Sequence, residues 1–299
     1  MKTTKVLILG VSGMLGHKLF FELSKDNTLD VYGTQRSSDI GIFVDKFTSK
    51  IRTGVDGDNF DTIIRALASI QPDIVINCIG LIKQTPLSND PLAAITVNAQ
   101  LPHRISLICK TAGARLIHFS TDCVFDGKKG SYVESDTPSA YDLYGRTKLL
   151  GEIAYSHCLT IRTSIIGHEL KGFLSLVEWF LTQKNAKGYS NAIFSGLTTL
   201  EIAKVIREYI LPNESLCGLY HLSADAISKY DLLKIINKSY GCNIDIERFD
   251  DFYIDRSLDS SEFRKKTGYV PNSWEKLIGD MHDDYVSCKY YCGAREQQC

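Results

Sequence analysis

Tyr144 and Lys148 stand four residues apart in the segment YGRTKLLGE, which reads as a helix. That spacing puts both side chains on one face, about a turn apart. A phenol ionises near pH 10 (about) and needs help to exchange protons at neutral pH. A lysine ammonium beside it would favour the phenolate and lower its pKa. Upstream, Ser120, Thr121 and Asp122 follow the apolar run Ala114–Phe119, so they are expected at the C-terminal end of a strand, where open α/β sheets bind ligands. A hydroxyl there can hydrogen-bond a reacting carbonyl oxygen. Alone, Tyr-x-x-x-Lys is a common coincidence, and its meaning depends on the elements that position it.

The first of these elements is the N-terminus. KVLIL, residues 5–9, is a continuous apolar run suited to a buried strand. It leads into Gly10-Val-Ser12-Gly13-Met14-Leu15-Gly16 and then a helical pattern, HKLFFELSKD. A strand, a glycine turn and a helix make the phosphate-binding start of a dinucleotide fold, although the spacing is G-x-x-G-x-x-G rather than G-x-G-x-x-G. A second strand, LDVYG, is followed by Arg36. An acid in that region meets the ribose 2′-hydroxyl of NAD, whereas an arginine accommodates the 2′-phosphate of NADP. Arg36 therefore points to NADP, with Asp39 close by and a plain surface arginine as the alternative.

A third strand is expected over 51–55, with Asp56 placed to meet the adenine, and a helix over 61–70. Residues 72–80, PDIVINCIG, read as a buried strand ending in the small-residue stretch Cys78-Ile79-Gly80, across which a cofactor can lie. Lys83 is either a substrate or phosphate contact or a solvated loop lysine. Residues 92–111 read as a helix interrupted near Pro102, with Asn98 inside it as a backbone organiser or a mere propensity cost. A further strand covers 158–166. Alternating strands and helices predict a Rossmann-like doubly wound parallel sheet. Residues 1–167 are assigned to an NADP-binding domain and 168–285 to a smaller substrate lobe, some of whose strands return to the main sheet; 286–299 form a tail. In that lobe a helix is expected over 173–182, a loop over 188–199, a helix over 200–210, a strand over 219–222 and a helix over 229–240. Residues 263–268 and 274–285 close the fold, and the acidic run 245–255 is expected to be solvated surface.

Composition is that of ordinary globular material: 299 residues, 44% hydrophobic and 23% charged, with a net charge of −1. Such a balance gives no general attraction to nucleic acid or anionic membrane. No run approaches a membrane span or a signal-peptide core, so a cytoplasmic location is expected. Nine cysteines fit a reducing compartment. Cys78, Cys109, Cys158 and Cys217 are expected in apolar surroundings, and Cys288, Cys292 and Cys299 match no zinc-site template. No metal is expected.

Taken together, GVSGMLG, the strand-end STD and YGRTK resemble the extended short-chain dehydrogenase/reductase family, over nearly the whole chain. Within it, STDCVFDG, Tyr144–Lys148, Arg162-Thr-Ser164 and Gly218–Leu222 are similar to patterns of the dTDP-4-dehydrorhamnose reductase group of nucleotide-sugar reductases. The resemblance implies reduction of the C4 keto group of a nucleotide-linked 4-keto-6-deoxy sugar by NADP(H), for a surface polysaccharide precursor. Tyr144 would protonate the C4 oxygen. Lys148 would hold the nicotinamide ribose and keep the phenol's pKa low, and Thr121 would bond the carbonyl, supported by Ser120 or Asp122. The cofactor set it implies is Gly10, Ser12, Gly13, Met14, Leu15, Gly16, Arg36, Asp56, Cys78, Ile79, Gly80, Asn98, Tyr144 and Lys148. Lys83, Asp122, Cys123, Val124, Phe125, Ile165 and Phe194 would border the sugar.

Two departures stand out: Cys123 replaces the tyrosine that follows STD in the reductases, and Ile165 replaces the tryptophan that often follows RTS. Both positions border the sugar pocket in that family, so the resemblance implies the reaction and leaves the identity of the sugar open. Cys123 has no histidine placed to activate it and reads as a pocket-lining or core thiol. An epimerase or dehydratase of the same fold is an alternative, although Arg36 and the Asp122-Cys123 pair, in place of Asp-Glu, weigh against it. A cofactor-binding regulatory subunit similar to the β subunit of methionine adenosyltransferase is another. A second copy of the chain is a candidate partner.

Overall fold

The computed structural model describes residues 3–43, 45–172 and 174–291. Seven strands form one parallel sheet: β1 (Thr4–Leu9), β2 (Leu29–Thr34), β3 (Ile51–Arg52), β4 (Ile74–Asn77), β5 (Arg115–Thr121), β6 (Cys158–Thr163) and β7 (Gly218–His221). Their order across the sheet is β7-β6-β5-β4-β1-β2-β3. The chain steps outward from β1 to β3, then crosses back to β4 and continues to the other edge. The switch point lies between β1 and β4, paired in register from Val6↔Ile74 to Leu9↔Asn77. The crevice beyond the C-terminal ends of these two strands is where such sheets take ligands.

Continuous apolar strands arise because both faces are covered. Val6 and Ile8 point into one core with Leu19, Phe20, Ile117 and Ile161. Leu7 and Leu9 point into the other with Ile63, Leu67, Val75 and Leu116. The second face is covered by α2 (Phe60–Ile70) and α3 (Leu101–Ala112); the first is covered by α1 (Met14–Leu23) and by the helix Thr199–Val205, which packs on α1.

The C-terminal half supplies β7, so the last strand of the main sheet comes from beyond the first 167 residues. The expected loop over 188–199 is instead strand material. Asn185–Tyr189 pairs in parallel with Asp245–Phe249, Ala192–Phe194 lies between Ile227–Ser228 and Ile254–Asp255, and Leu197–Thr198 pairs with Ile165–Ile166. The acidic run is thus partly a paired strand; its charges alternate outward and hide a period of two. Pairing of Leu197–Thr198 also explains why the predicted strand 158–166 is broken into two.

The predicted helix over 173–182 is observed as Leu176–Leu181, and Phe173 lies outside the described residues. Of the four cysteines expected in apolar surroundings, Cys109 and Cys158 are buried but Cys217 is exposed, on the approach to the edge strand β7. Cys292 and Cys299 lie outside the described residues. Among those described, no helix is long and apolar enough to cross a membrane, and no group of metal-ligating side chains is assembled.

Candidate active site

At the mouth of the crevice, Gly10 takes φ +88°, a conformation open to glycine at little cost. Its amide donates to both the carbonyl and the hydroxyl of Thr34, at 3.1 and 3.2 Å. A Cβ at Gly16 would stand 2.1 Å from the Gly10 carbonyl, so this glycine lets α1 press against the turn. Gly13 is the N-cap of α1 and carries no side-chain cap bond, leaving first-turn amides without side-chain acceptors. Ser12 and Gly13 are exposed and Met14 half-buried, whereas the Leu15 side chain lies in the core. Only backbone atoms of Leu15 can face a phosphate. This cradle, with no side chain filling it, fits a dinucleotide pyrophosphate.

Around it, Gln35 is buried and its amide nitrogen donates to the carbonyls of Ser37 and Asp39 at 3.0 and 2.6 Å. It shapes the turn that holds Arg36 outward, exposed. Asp56 accepts from the Asp58 amide at 3.2 Å, and its own amide donates to Thr62. Gly57 then packs against Ile79, joining the 56–58 turn to the Cys78–Gly80 stretch. Burial pushes the Cys78 thiol up, so it stays neutral.

Asn98 proves to be a positioning residue. The helix does not break at Pro102, which sits in the first turn of α3 where proline is tolerated. It loosens before it, in a wide π-type turn over Ile95–Gln100, an irregularity that frequently accompanies functional sites. From this turn Asn98 Oδ1 accepts from the Leu81 amide at 2.8 Å and Nδ2 donates to the Leu81 carbonyl at 3.1 Å. The loop after β4 is thereby clamped.

Thr121 ends β5, and α4 (Leu143–Leu150) brings Tyr144 and Lys148 to it. Asp142 caps α4 by accepting from the Gly145 amide at 2.7 Å. Gly145 permits the approach, because a Cβ there would stand 2.3 Å from the Cys123 carbonyl. The Thr121 hydroxyl donates to Asp122 Oδ1 at 3.0 Å and accepts from the Cys123 amide at 3.1 Å. The Tyr144 hydroxyl is paired with Thr121; burial raises the phenol's pKa, and neighbouring Cys123 adds to this. The expected lowering by Lys148 is therefore not found. The ammonium donates instead to the Phe119 carbonyl at 2.6 Å, buried beneath the site, and burial lowers its pKa to about 8.

Other expected contacts also resolve differently. Ser120 points to the opposite face of β5 and donates to Glu152 at 2.6 Å, so it cannot assist Thr121. Glu152 in turn grips Arg162 through two bonds of 2.7 Å; this buried pair lies on residues the sequence placed in the STD–LLGE and RTS stretches without predicting their union. Val124 and Phe125 are fully buried, Phe125 stacked on Tyr132 at 4.1 Å. Phe194 is buried against Trp274 at 5.5 Å. These three side chains build core rather than pocket wall. Ile165 is half-buried in its short strand.

Lys83 is exposed, donates to Asp142 at 2.8 Å and lies over the Tyr144 ring at 5.4 Å. Burial raises the Asp122 carboxyl, opposed by its bond from Thr121 and by Arg256. Burial also lifts the Cys123 thiol to about 11, which makes it unfit as a nucleophile at neutral pH. Arg256, which nothing in the sequence flagged, points its Nη1 to the Cys123 sulfur at 3.7 Å across 133 residues of chain.

A doubly wound sheet with a bare glycine cradle, and a hydroxyl pair and lysine at its C-terminal edge, defines a nucleotide-dependent short-chain dehydrogenase/reductase. More particularly, residues 4–287 match the family described as RmlD substrate binding domain, and the chain belongs to that family of extended nucleotide-sugar reductases. It is 26% identical over 243 residues to dTDP-4-dehydrorhamnose reductase of Escherichia coli, covering 77% of this chain and 76% of that one. It is also 27% identical over 243 residues to methionine adenosyltransferase 2 subunit beta of Danio rerio, covering 76% and 71%. Among solved structures it is similar to the dTDP-4-dehydrorhamnose reductase of Bacillus anthracis in complex with NADP, at TM-score 0.76 and 21% identity, covering 95% of this chain and 100% of that one.

Proposed function

We propose that this chain reduces the C4 keto group of a nucleotide-linked 4-keto-6-deoxy sugar, with NADPH as reductant, in the making of a surface polysaccharide precursor. The observation that carries the reading is the Thr121–Tyr144 hydroxyl pair beside buried Lys148, next to the glycine cradle. The backbone of Gly10–Gly16 would hold the pyrophosphate, with Arg36 at the 2′-phosphate and Asp56 and the Cys78–Gly80 stretch along the adenosine and nicotinamide halves. Bound NADPH would supply the hydride. Residues 1–167 would carry this site and 168–285 most of the sugar lobe.

The residues of the chain supply the proton and the alignment. Burial keeps the Tyr144 phenol protonated at neutral pH, so it can donate to the carbonyl oxygen as that oxygen gains charge. Thr121 offers a second hydroxyl to the same oxygen. Lys148, anchored on the Phe119 carbonyl, would hold the nicotinamide ribose, and a proton from solvent restores the phenol after transfer. Alignment of donor and acceptor can contribute roughly 7–11 kcal/mol towards such a barrier.

Similarity to the methionine adenosyltransferase β subunit supports a second reading, a regulatory subunit that binds cofactor without turnover. The two are separated by mixing the full chain with NADPH and dTDP-, UDP- and GDP-linked 4-keto-6-deoxy sugars and following nicotinamide absorbance. Oxidation with at least one sugar is expected; none with any of them would remove the reductase reading.

A further inference from the structure

Arg256 reaches the reaction site from the other half of the chain. It follows the strand Ile254–Asp255, and the backbone there is fixed. The Asp255 amide donates to the Gly127 carbonyl at 2.8 Å, while its carboxylate accepts from the amide and hydroxyl of Ser257 at 2.9 and 2.6 Å. Its guanidinium is held on one edge: Nε donates to the Phe125 carbonyl at 2.9 Å and Nη1 faces the Cys123 sulfur. Asp122 and Asp142 lie near enough to feel its charge, but among the described residues no carboxylate comes within 4.0 Å of it, and Nη2 has no hydrogen-bond partner. A guanidinium carries five N–H donors and a permanent charge, so a half-buried one with an open edge is a recognition group awaiting an acceptor.

Its position indicates which acceptor. Cys123, against which it rests, donates its amide to the hydroxyl of Thr121 and stands close enough to Tyr144 to influence the phenol. The guanidinium is thus one side chain away from the pair that faces the reacting carbonyl. In a nucleotide-linked hexose the diphosphate hangs from C1, across the ring from C4, so a cation beside the C4 machinery lies nearer the ring substituents than the diphosphate. Charged hydrogen bonds reward strong acceptors such as acyl and carboxylate oxygens.

We propose that Arg256 is a specificity-determining residue that recognises an acceptor oxygen on a substituent of the sugar ring, an acylamino carbonyl or a carboxylate. This rests on the nucleotide-sugar reading above and narrows it to substituted sugars. Cys123 contributes by being small: it leaves the guanidinium room beside Thr121 that a bulkier side chain would occupy.

The test is calorimetric binding to the full chain saturated with NADPH. UDP and dTDP are compared first, then the glucose, N-acetylglucosamine and glucuronate conjugates of the tighter nucleotide. One substituted sugar should bind at least ~10-fold more tightly than the glucose conjugate, the scale of one charge-assisted hydrogen bond. Preference for N-acetylglucosamine identifies an acylamino acceptor and preference for glucuronate a carboxylate. Arg256→Gln should erase the preference and leave the free nucleoside diphosphate within ~2-fold. Should that variant fail to hold NADPH, Arg256→Lys, which loses the planar fork, carries the same comparison. An equal loss for the free nucleoside diphosphate would place the guanidinium on the diphosphate and overturn the proposal, as would equal binding of all three conjugates by the wild type. Binding of no nucleotide at all would sink the parent reading with it. Selective binding here, with no NADPH oxidation by any of the 4-keto-6-deoxy sugars of the turnover assay, would leave the role of Arg256 standing and remove only the reductase.

Discussion

Replacing Lys148 by methionine should stabilise the protein at neutral pH while abolishing its proposed chemistry. The side chain is 7% exposed, and burial, partly offset by Glu152, lowers its pKa from 10.5 to about 8. At 1.36 kcal/mol per pKa unit, holding the ammonium inside the fold costs about 3 kcal/mol. The folded pKa is the lower one, so the unfolded chain binds more protons between about 8 and 10.5 and the cost fades as pH rises through that window. Below pH 8 the cost is present in full; above 10.5 the amine is neutral in both states and the cost is gone. Methionine also leaves the Phe119 carbonyl without the 2.6 Å bond it receives, a loss of about 1 kcal/mol. Lys148→Met should therefore be more stable than wild type by about 2 kcal/mol at pH 7 and less stable by about 1 kcal/mol near pH 10.5. Urea unfolding of both proteins at the two pH values measures this difference directly. A change of the same sign at both would refute the claim that desolvation of this lysine dominates its energetics.

Tyr144→Phe should lower turnover roughly 100-fold or more with NADPH affinity nearly unchanged; equal rates would mean another group delivers the proton. In Arg36→Ala, NADPH binding should weaken while NADH binding stays level, as read by fluorescence titration, and an unchanged ratio would remove Arg36 from the 2′-phosphate. Gly16→Ala puts a Cβ 2.1 Å from the Gly10 carbonyl, so α1 must shift, and about 1–3 kcal/mol of stability should be lost together with cofactor affinity. Thermal unfolding with and without NADPH separates the two effects.

The parallel sheet and its glycine turn were legible because they depend on local pattern. Apolar runs covered on both faces, glycines between a strand and a helix, and Tyr144 one turn from Lys148 are all statements about near neighbours. The fold follows from them. The C-terminal lobe was harder to read because its strands are two to five residues long and gain definition from partners distant in the chain, as Asn185–Tyr189 does from Asp245–Phe249.

What the tertiary structure alone decided is the environment of each named group. The pattern placed Lys148 beside Tyr144, but burial and the Phe119 carbonyl settle where the ammonium points and whether burial or proximity governs the phenol. Ser120 and Thr121 are adjacent in sequence, yet the strand's alternation sends one to Glu152 and the other to the site. Val124, Phe125 and Phe194 belong to the right segments and are consumed by the core. Arg256 carries no motif at all; it meets Cys123 only because a short strand from the far half of the chain docks against the loop that follows β5. Periodicity and spacing report which face a residue occupies, whereas burial, charge and long-range contact arise only when separate segments come together.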